Sequence, residues 1–309
     1  MRTESDSFSG RIALLTYSTK ARGGVVHTLA LAEALAELGV DVTVWSLGRG
    51  GDSQFFREVD PAVTLRVVPL PEIDGETVGE RVLRSIDVLG AAFRASDGYD
   101  VVHAQDCISA NAVGPCIRTV HHIDHFTTPE LVRCHERAIR EPWAHVCVSA
   151  AVAGELRDGW GLDATVIANG VHAERFAAAA CAPGRDEWRA KLGRYVLSVG
   201  GIEPRKGSVE LLEAYAQLRT PGVALVIAGG ETVFDHRDYR ARWEARAAEL
   251  GVTPIVLGPV DDSALPSLVA AADAFAFPST KEGFGIAAME ALAAGVPLVV
   301  SDLAVLRET

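Results

Sequence analysis

The sequence predicts an α/β protein of two similar halves, each a parallel sheet wrapped by helices. Three observations predict it. Short apolar runs rich in Val and Ile alternate with longer stretches of helical spacing, beginning at Arg11. The same alternation begins afresh at Tyr195. Between the two, Ala177 to Arg185 (AAAACAPGR) breaks the rhythm with small residues, Pro and Gly, and reads as a linker. Strand–helix–strand order of this kind builds a parallel sheet. The halves are therefore expected to be Rossmann-like domains over residues 11–180 and 190–309. In such sheets ligands sit off the C-terminal strand ends, so two facing domains would define a cleft.

The elements follow in order. Arg11 to Tyr17 (RIALLTY) is a buried strand, Ser18 to Gly24 a loop, and Val25 to Leu38 a helix with Val25, Leu29, Ala32 and Leu35 or Ala36 on one face. Gly39 stops it, and Asp41 to Leu47 is the second strand. Val63–Leu70, Asp100–Asp106, Ile117–Ile123, His145–Ser149 and Ala164–Asn169 read as strands, with helices over Glu76–Ala95 and about Pro129–Arg140. The second half gives strands at Tyr195–Val199, Ala224–Ala228, Ile255–Leu257, Ala274–Phe277 and Leu298–Val300. Helices are expected between them, at about 207–218, 238–250, 263–272 and 285–294. No short sequence repeat is visible.

Composition narrows the function. At 309 residues, 49% hydrophobic and 23% charged, the chain can bury a sizeable core. A formal charge of −12 argues against a nucleic-acid partner and weakens electrostatic binding to anionic lipid, though peripheral membrane contact stays open. The polar start MRTESDSFSG carries no basic-plus-apolar signal, and no apolar run is long enough for a transmembrane segment. The five cysteines are an odd number without a C-x-x-C pair. Reduced thiols and a cytoplasmic location follow as the expectation.

Chemistry concentrates in Phe277 to Asp302, FPSTKEGFGIAAMEALAAGVPLVVSD. Gly283-Phe284-Gly285 precedes a helix, with Glu282 before it and Glu290 inside it. Unpaired N–H groups at a helix N-terminus attract phosphate, and the glycines let a ligand approach the backbone. A carboxylate at Glu290 can accept hydrogen bonds from vicinal hydroxyls such as those of a ribose. An isolated acid pair on a helix is ordinarily a solvated face.

The whole run, however, resembles the E-x7-E signature of the retaining glycosyltransferases of family 4, from its EGFG element to its G-x-P-hydrophobic-S-D close. The resemblance implies a GT-B fold. It places Glu282 near the transferred sugar and Glu290 on the nucleotide ribose, with Gly283, Phe284 and Gly285 at the donor. Arg205-Lys206-Gly207 closes a G-x-x-x-x-K-G turn like the family's diphosphate element. Arg205 and Lys206 would neutralise the leaving diphosphate in place of a metal, since no D-x-D motif occurs. Gly23-Gly24 is not a dinucleotide fingerprint, but it matches the family's glycine pair, and Gly24 is the residue expected to meet the donor diphosphate. His121 matches the family's active-site histidine. Its neighbours His122, Asp124 and His125 leave a metal cluster or core histidines as other readings, although strand alternation sends His121 and His122 to opposite sides. Asp124 is a weaker acceptor-side candidate. Asn169-Gly170-Val171 resembles a family turn, with His172 where Asp is usual, and reads as structural, as does His103.

The resemblance spans about Arg11 to Glu308. Family members continue for some tens of residues after S-D-x-x-x-L-x-E, so the second domain is expected to be incomplete. The implied activity is transfer of a sugar from a nucleoside-diphosphate sugar to an unknown acceptor, with retention and with no metal or cofactor. The alternatives are a non-catalytic nucleotide-sugar binder, or another GT-B enzyme such as a sugar-nucleotide epimerase. Transfer to any acceptor would exclude the first, and the EGFG run with Glu290 argues against the second.

Overall fold

The structure is a computed structural model that describes residues 10–96, 98–124, 126, 128–218, 220–230 and 237–309. The chain divides into two compact units at Gly170/Val171.

The first unit runs β1 (Arg11–Leu15), α1 (Gly23–Glu37), β2 (Asp41–Arg49), β3 (Thr64–Leu70), α2 (Val78–Arg94), β4 (Val101–Ala104), α3 (Cys107–Val113), β5 (Ile117–Val120), α4 (Pro129–Arg140), β6 (Ala144–Cys147), α5 (Ala150–Trp160) and β7 (Thr165–Val166). Its strands lie in the order β3-β2-β1-β4-β5-β6-β7, all pairs parallel. Because helices cover both faces, β1 is apolar from Ile12 to Leu15 rather than alternating. Leu14 packs with Val25 and Leu29 of α1, while Ala13 and Leu15 pack on the other face with Leu89 of α2. The start of α2 is fixed by a reciprocal cap between Thr77 and Glu80, a device worth about 1 kcal/mol.

The second unit runs α6 (Ala173–Ala179), α7 (Pro183–Leu192), β8 (Arg194–Val199), a 3₁₀ turn (Pro204–Lys206), α8 (Ser208–Leu218), β9 (Val223–Ala228), α9 (Arg237–Glu249), β10 (Ile255–Gly258), α10 (Leu265–Ala270), β11 (Ala274–Phe277), α11 (Ile286–Ala293), β12 (Leu298–Val300) and α12 (Ala304–Glu308). Its order is β10-β9-β8-β11-β12, again all parallel. Tyr195, Leu197, Phe275 and Phe277 form the core with Ala288 and Ala291 of α11. The buried Tyr195 hydroxyl donates to the Leu268 carbonyl at 2.5 Å, and the start of β8 is tied down by Tyr195 N–H to Asp273 Oδ2 at 2.8 Å.

The alanine-rich stretch expected to be a linker contributes to α6 and α7. Alanine is the strongest helix former and Pro183 sits in the first turn of α7, where its missing N–H costs nothing. Phe176 and Ala179 of α6 are buried in the second unit's core. Three further helices, α3, α5 and α12, stand where the sequence pattern predicts none.

Both sheets share one wiring. In each, the order reverses beside the first strand, between β1 and β4 and between β8 and β11. Loops leaving those strands at their C-terminal ends are the ligand-binding position of open α/β sheets.

Candidate active site

The second unit's switch point is built by two loops, one after β8 and one after β11. Gly207 ends the 3₁₀ turn at φ 61°, and a Cβ there would lie 2.1 Å from the Pro278 carbonyl oxygen. Only glycine lets these loops close on each other. Thr280 N–H donates to the Arg205 carbonyl at 2.8 Å and completes the seam.

This seam aligns the charges. Lys206 Nζ donates to Glu282 Oε1 at 2.6 Å, and Arg205 Nη1 donates to the same oxygen at 3.2 Å. Arg205 Nη2 also reaches Glu203 Oε1 at 3.0 Å. Lys206 Nζ lies 4.9 Å from the centroid of the Phe277 ring, whose π face favours a cation. Burial by itself would raise the Glu282 carboxyl. The charges of Lys206 and Arg205 outweigh burial and hold it below the ordinary carboxylate value. Burial lowers Lys206, with Glu282 opposing that shift. Glu282 thus stays ionised and arranges two cations at the strand ends. Glu203, buried beside them, carries no motif by which sequence alone could single it out.

Of the EGFG run, Gly283 and Phe284 are buried. Gly285 is the N-cap of α11 at φ 95°, and a Cβ there would lie 2.7 Å from Leu306 Cδ2. Conformation and packing already require glycine at 285, independently of any ligand. No side chain caps α11 and no acid lies in its first turn, so its leading N–H groups keep their attraction for an anion.

Glu290 lies apart from that cluster, at the side of α11 near Arg175 and Asp262. Among the described residues no donor hydrogen-bonds its carboxylate. Burial is the chief cause that raises its pKa to about 7; Asp262 adds to the rise and Arg175 opposes it. Arg175 itself grips Asp262, with Nη1 2.7 Å from Oδ2 and Nη2 donating to the Asp262 carbonyl.

In the first unit Gly24 and His121 come together. Gly23 and Gly24 open α1, whose N-cap Arg22 offers no side-chain hydrogen bond. A Cβ on Gly23 would meet nothing within 4 Å, and one on Gly24 only the His121 ring at 3.6 Å. Protein packing does not demand these glycines, so the space above them is open to a ligand. His121 Nε2 lies 3.3 Å from Gln105 Oε1, and the His27 ring packs edge-on with centroids 5.1 Å apart. Burial, then His27 and other neighbours, push His121 well below its ordinary pKa, so it is neutral at pH 7. His122 turns outward and pairs with Asp124 at 3.2 Å. His103 is bound to Thr119 Oγ1 at 2.7 Å. His172 is the N-cap residue of α6 and makes no side-chain cap. His125 lies outside the described residues. Among the described residues no group of three or more His, Cys, Asp or Glu could hold a metal ion. All five cysteines are free, and no described helix is long and apolar enough to cross a membrane.

The glycosyltransferase family 4 model matches residues 21–175, half of the chain, and the model of glycosyl transferases group 1 matches residues 185–309. The chain is a glycosyltransferase of family 4. The transferase is 31% identical to the phosphatidyl-myo-inositol mannosyltransferase of Mycobacterium tuberculosis H37Rv, over 94% of this chain and 77% of the relative. It is 30% identical to the D-inositol 3-phosphate glycosyltransferase of Salinispora arenicola, over 91% and 72%. Solved GT-B structures share its fold. Sucrose-phosphate synthase of Thermosynechococcus elongatus superposes with a TM-score of 0.76 at 22% identity, covering 96% of this chain and 82% of that one. Anabaena HepE in complex with UDP-glucose gives 0.73 at 22%, covering 97% and 82%. The transferase has the GT-B fold.

Proposed function

We propose that this transferase takes a nucleoside-diphosphate sugar as donor and transfers its sugar with retention and without a metal. The observation that carries the proposal is the Lys206–Glu282–Arg205 cluster at the β8/β11 switch point, fixed by the Gly207 seam. Two cations held in place before the reaction can take up the charge of a departing diphosphate with little reorganisation. The uncapped N-terminus of α11 adds N–H groups for the same anion, and the open backbone at Gly24 suits the diphosphate contact that the family resemblance assigns to it. Glu290, half-buried and without a donor among the described residues, suits the hydroxyls of a ribose. Neutral His121 and Glu282 are assigned to the sugar: a neutral imidazole can exchange hydrogen bonds with hydroxyls while adding no charge beside a developing oxocarbenium ion. Departure of the diphosphate and attack on the same face need no protein nucleophile. The relatives are named as glycosyl- and mannosyltransferases, which supports sugar transfer, and the UDP-glucose complex of HepE supports a nucleotide-sugar donor. Five free cysteines suit the cytoplasm.

The test is thermal stabilisation by UDP-, GDP- and ADP-sugars in chelator, since a ligand that binds only the folded state raises Tm. A shift with one nucleotide class, lost in Glu290→Ala, supports the reading and names the base. Turnover of that donor in chelator then tests metal independence, and the anomeric configuration of the product tests retention.

A further inference from the structure

The α6 helix delivers one side chain to the neighbourhood of Glu290. Arg175 closes on Asp262 through both of its terminal nitrogens, one to the carboxylate at 2.7 Å and one to the main-chain carbonyl. Asp262 belongs to the loop between β10 and α10. The preceding carbonyl, Asp261 O, accepts the Ala264 and Leu265 N–H groups at 2.9 and 3.0 Å and so starts α10. The guanidinium therefore clamps a loop whose other end is already anchored. Both partners are incompletely buried, with side chains 35% and 22% exposed. An ion pair with that exposure adds little to stability. Its consequence lies in what it faces. Glu290 projects from α11, which packs against α6, α10, β11 and β12. On those elements the charged residues are Glu174 and Arg175 of α6, and Glu174 is exposed. The loop before α10 supplies Asp261 and Asp262. Of all these, Arg175 and Asp262 are the groups that act on Glu290, and they act with opposite sign.

We propose that Arg175 and Asp262 are positioning residues of the nucleoside half of the donor site, holding the loop after β10 beside α11 and setting, by their opposed charges, the charge that Glu290 presents to the donor. This rests on the assignment of Glu290 to the donor's ribose. A diol donating to Glu290 is bound best by the carboxylate. Arg175 favours that form, and Asp262 disfavours it. Burial brings Glu290 to the boundary between its two forms, and there a change in either partner of the pair shifts the balance and so tunes donor affinity.

A structural clamp and a tuning pair are separable, because breaking a clamp from either side has one outcome whereas removing opposite charges has two. Glu290 is followed by carboxyl ¹³C NMR titration in the full chain, its signal identified by loss in Glu290→Gln. Arg175→Met is expected to move the Glu290 midpoint up and Asp262→Asn to move it down, each by half a pH unit or more. Arg175→Lys, which keeps the charge, should stay near wild type and controls for disruption of the fold. The affinity for UDP and GDP is then measured from pH 6 to 8 in each variant. At pH 7 the stabilising nucleotide should bind at least twofold more weakly to Arg175→Met and up to twofold more tightly to Asp262→Asn. Shifts of the same sign, or an unmoved midpoint, overturn the inference while leaving the ribose assignment intact. If Glu290→Gln binds both nucleotides as wild type does at every pH, the ribose assignment itself fails.

Discussion

Around His121, at the C-terminal ends of β1, β4 and β5, the first unit gathers mainly uncharged groups, namely the glycines that open α1, the Gln105 amide and the neutral rings of His27 and His121, with Arg22 and Asp106 serving as the N-caps of α1 and α3. At the matching ends of β8 and β11 the second unit gathers charges, with Arg205 and Lys206 converging on Glu282. The wiring of the two sheets is the same, so topology does not explain the contrast. The difference lies in the few residues after each strand, and it divides the labour. One unit offers hydrogen bonds and open backbone, and the other offers fixed charge. It also divides the roles of glycine, since Gly207 closes a seam inside the protein whereas Gly24 leaves room outside it.

The largest expected effect comes from discharging the charged side. Lys206→Ala should lower kcat by an order of magnitude or more, the usual result of removing a preorganised electrostatic group. Steady-state turnover in chelator checks this, and a wild-type kcat would break the proposed division. Glu290→Gln should weaken nucleotide binding by about 10- to 100-fold at pH 8, the worth of a hydrogen bond to a charged group. Wild-type affinity should rise between pH 6 and 8 as the carboxyl, raised to about 7, ionises, and the variant's should stay flat. Isothermal titration against pH reads both.

The same group gives a stability signature of opposite sense. Its pKa is higher folded than unfolded, so between 4.5 and about 7 the native state keeps a proton that the unfolded chain releases. Stability contributed by the protonated group is therefore present below pH 4.5 and lost as pH rises to about 7, by at most about 3 kcal/mol. Urea unfolding of wild type against Glu290→Gln across that range measures it. The glycines sharpen the comparison at smaller scale. Gly207→Ala should destabilise the apo protein by about 1–3 kcal/mol through backbone strain and the clash with Pro278. Gly24→Ala should instead stabilise it by about 0.5–1 kcal/mol as a better helix former while weakening nucleotide-sugar binding. If Gly24→Ala binds donor normally, the space above it is not a ligand site.

The strands and the motif-bearing loops are legible because their signals are local. An apolar run such as Ile12-Ala13-Leu14-Leu15 in β1 declares a buried strand within a few residues, and GFG followed by alanines declares a loop and helix. The missed helices have weaker local signals. The α5 stretch begins with Ser149, whose hydroxyl oxygen accepts the Val152 N–H at 3.2 Å, and closes at Gly161 in the left-handed region, so its cap and stop are there to be read. The alanines of α6 read as small linker residues, although their helix propensity favours the other outcome. Gln105, Glu203, Arg175 and Asp262 cannot be found by spacing. Arg175 and Asp262 lie 87 positions apart, and their relation to Glu290 exists only once α6, the β10–α10 loop and α11 have packed. The EGFG motif also credits Gly285 to a ligand, where its own φ and Leu306 suffice.

The Gly207 seam also bears on how the protein comes to be functional at all. Lys206 and Glu282 are separated by 76 positions, and every strand pair between them is parallel, so no hairpin can bring them together early. The charged cluster of the second unit is a product of long-range closure, made when β11 settles against β8, and such pairings form slowly. A chain in which β11 has come away, whether on the ribosome or during local unfolding, has neither the seam nor the paired cations. Bound nucleotide sugar would then act as a latch on that opening, and protection of the β8 and β11 amides from hydrogen exchange should rise with donor concentration.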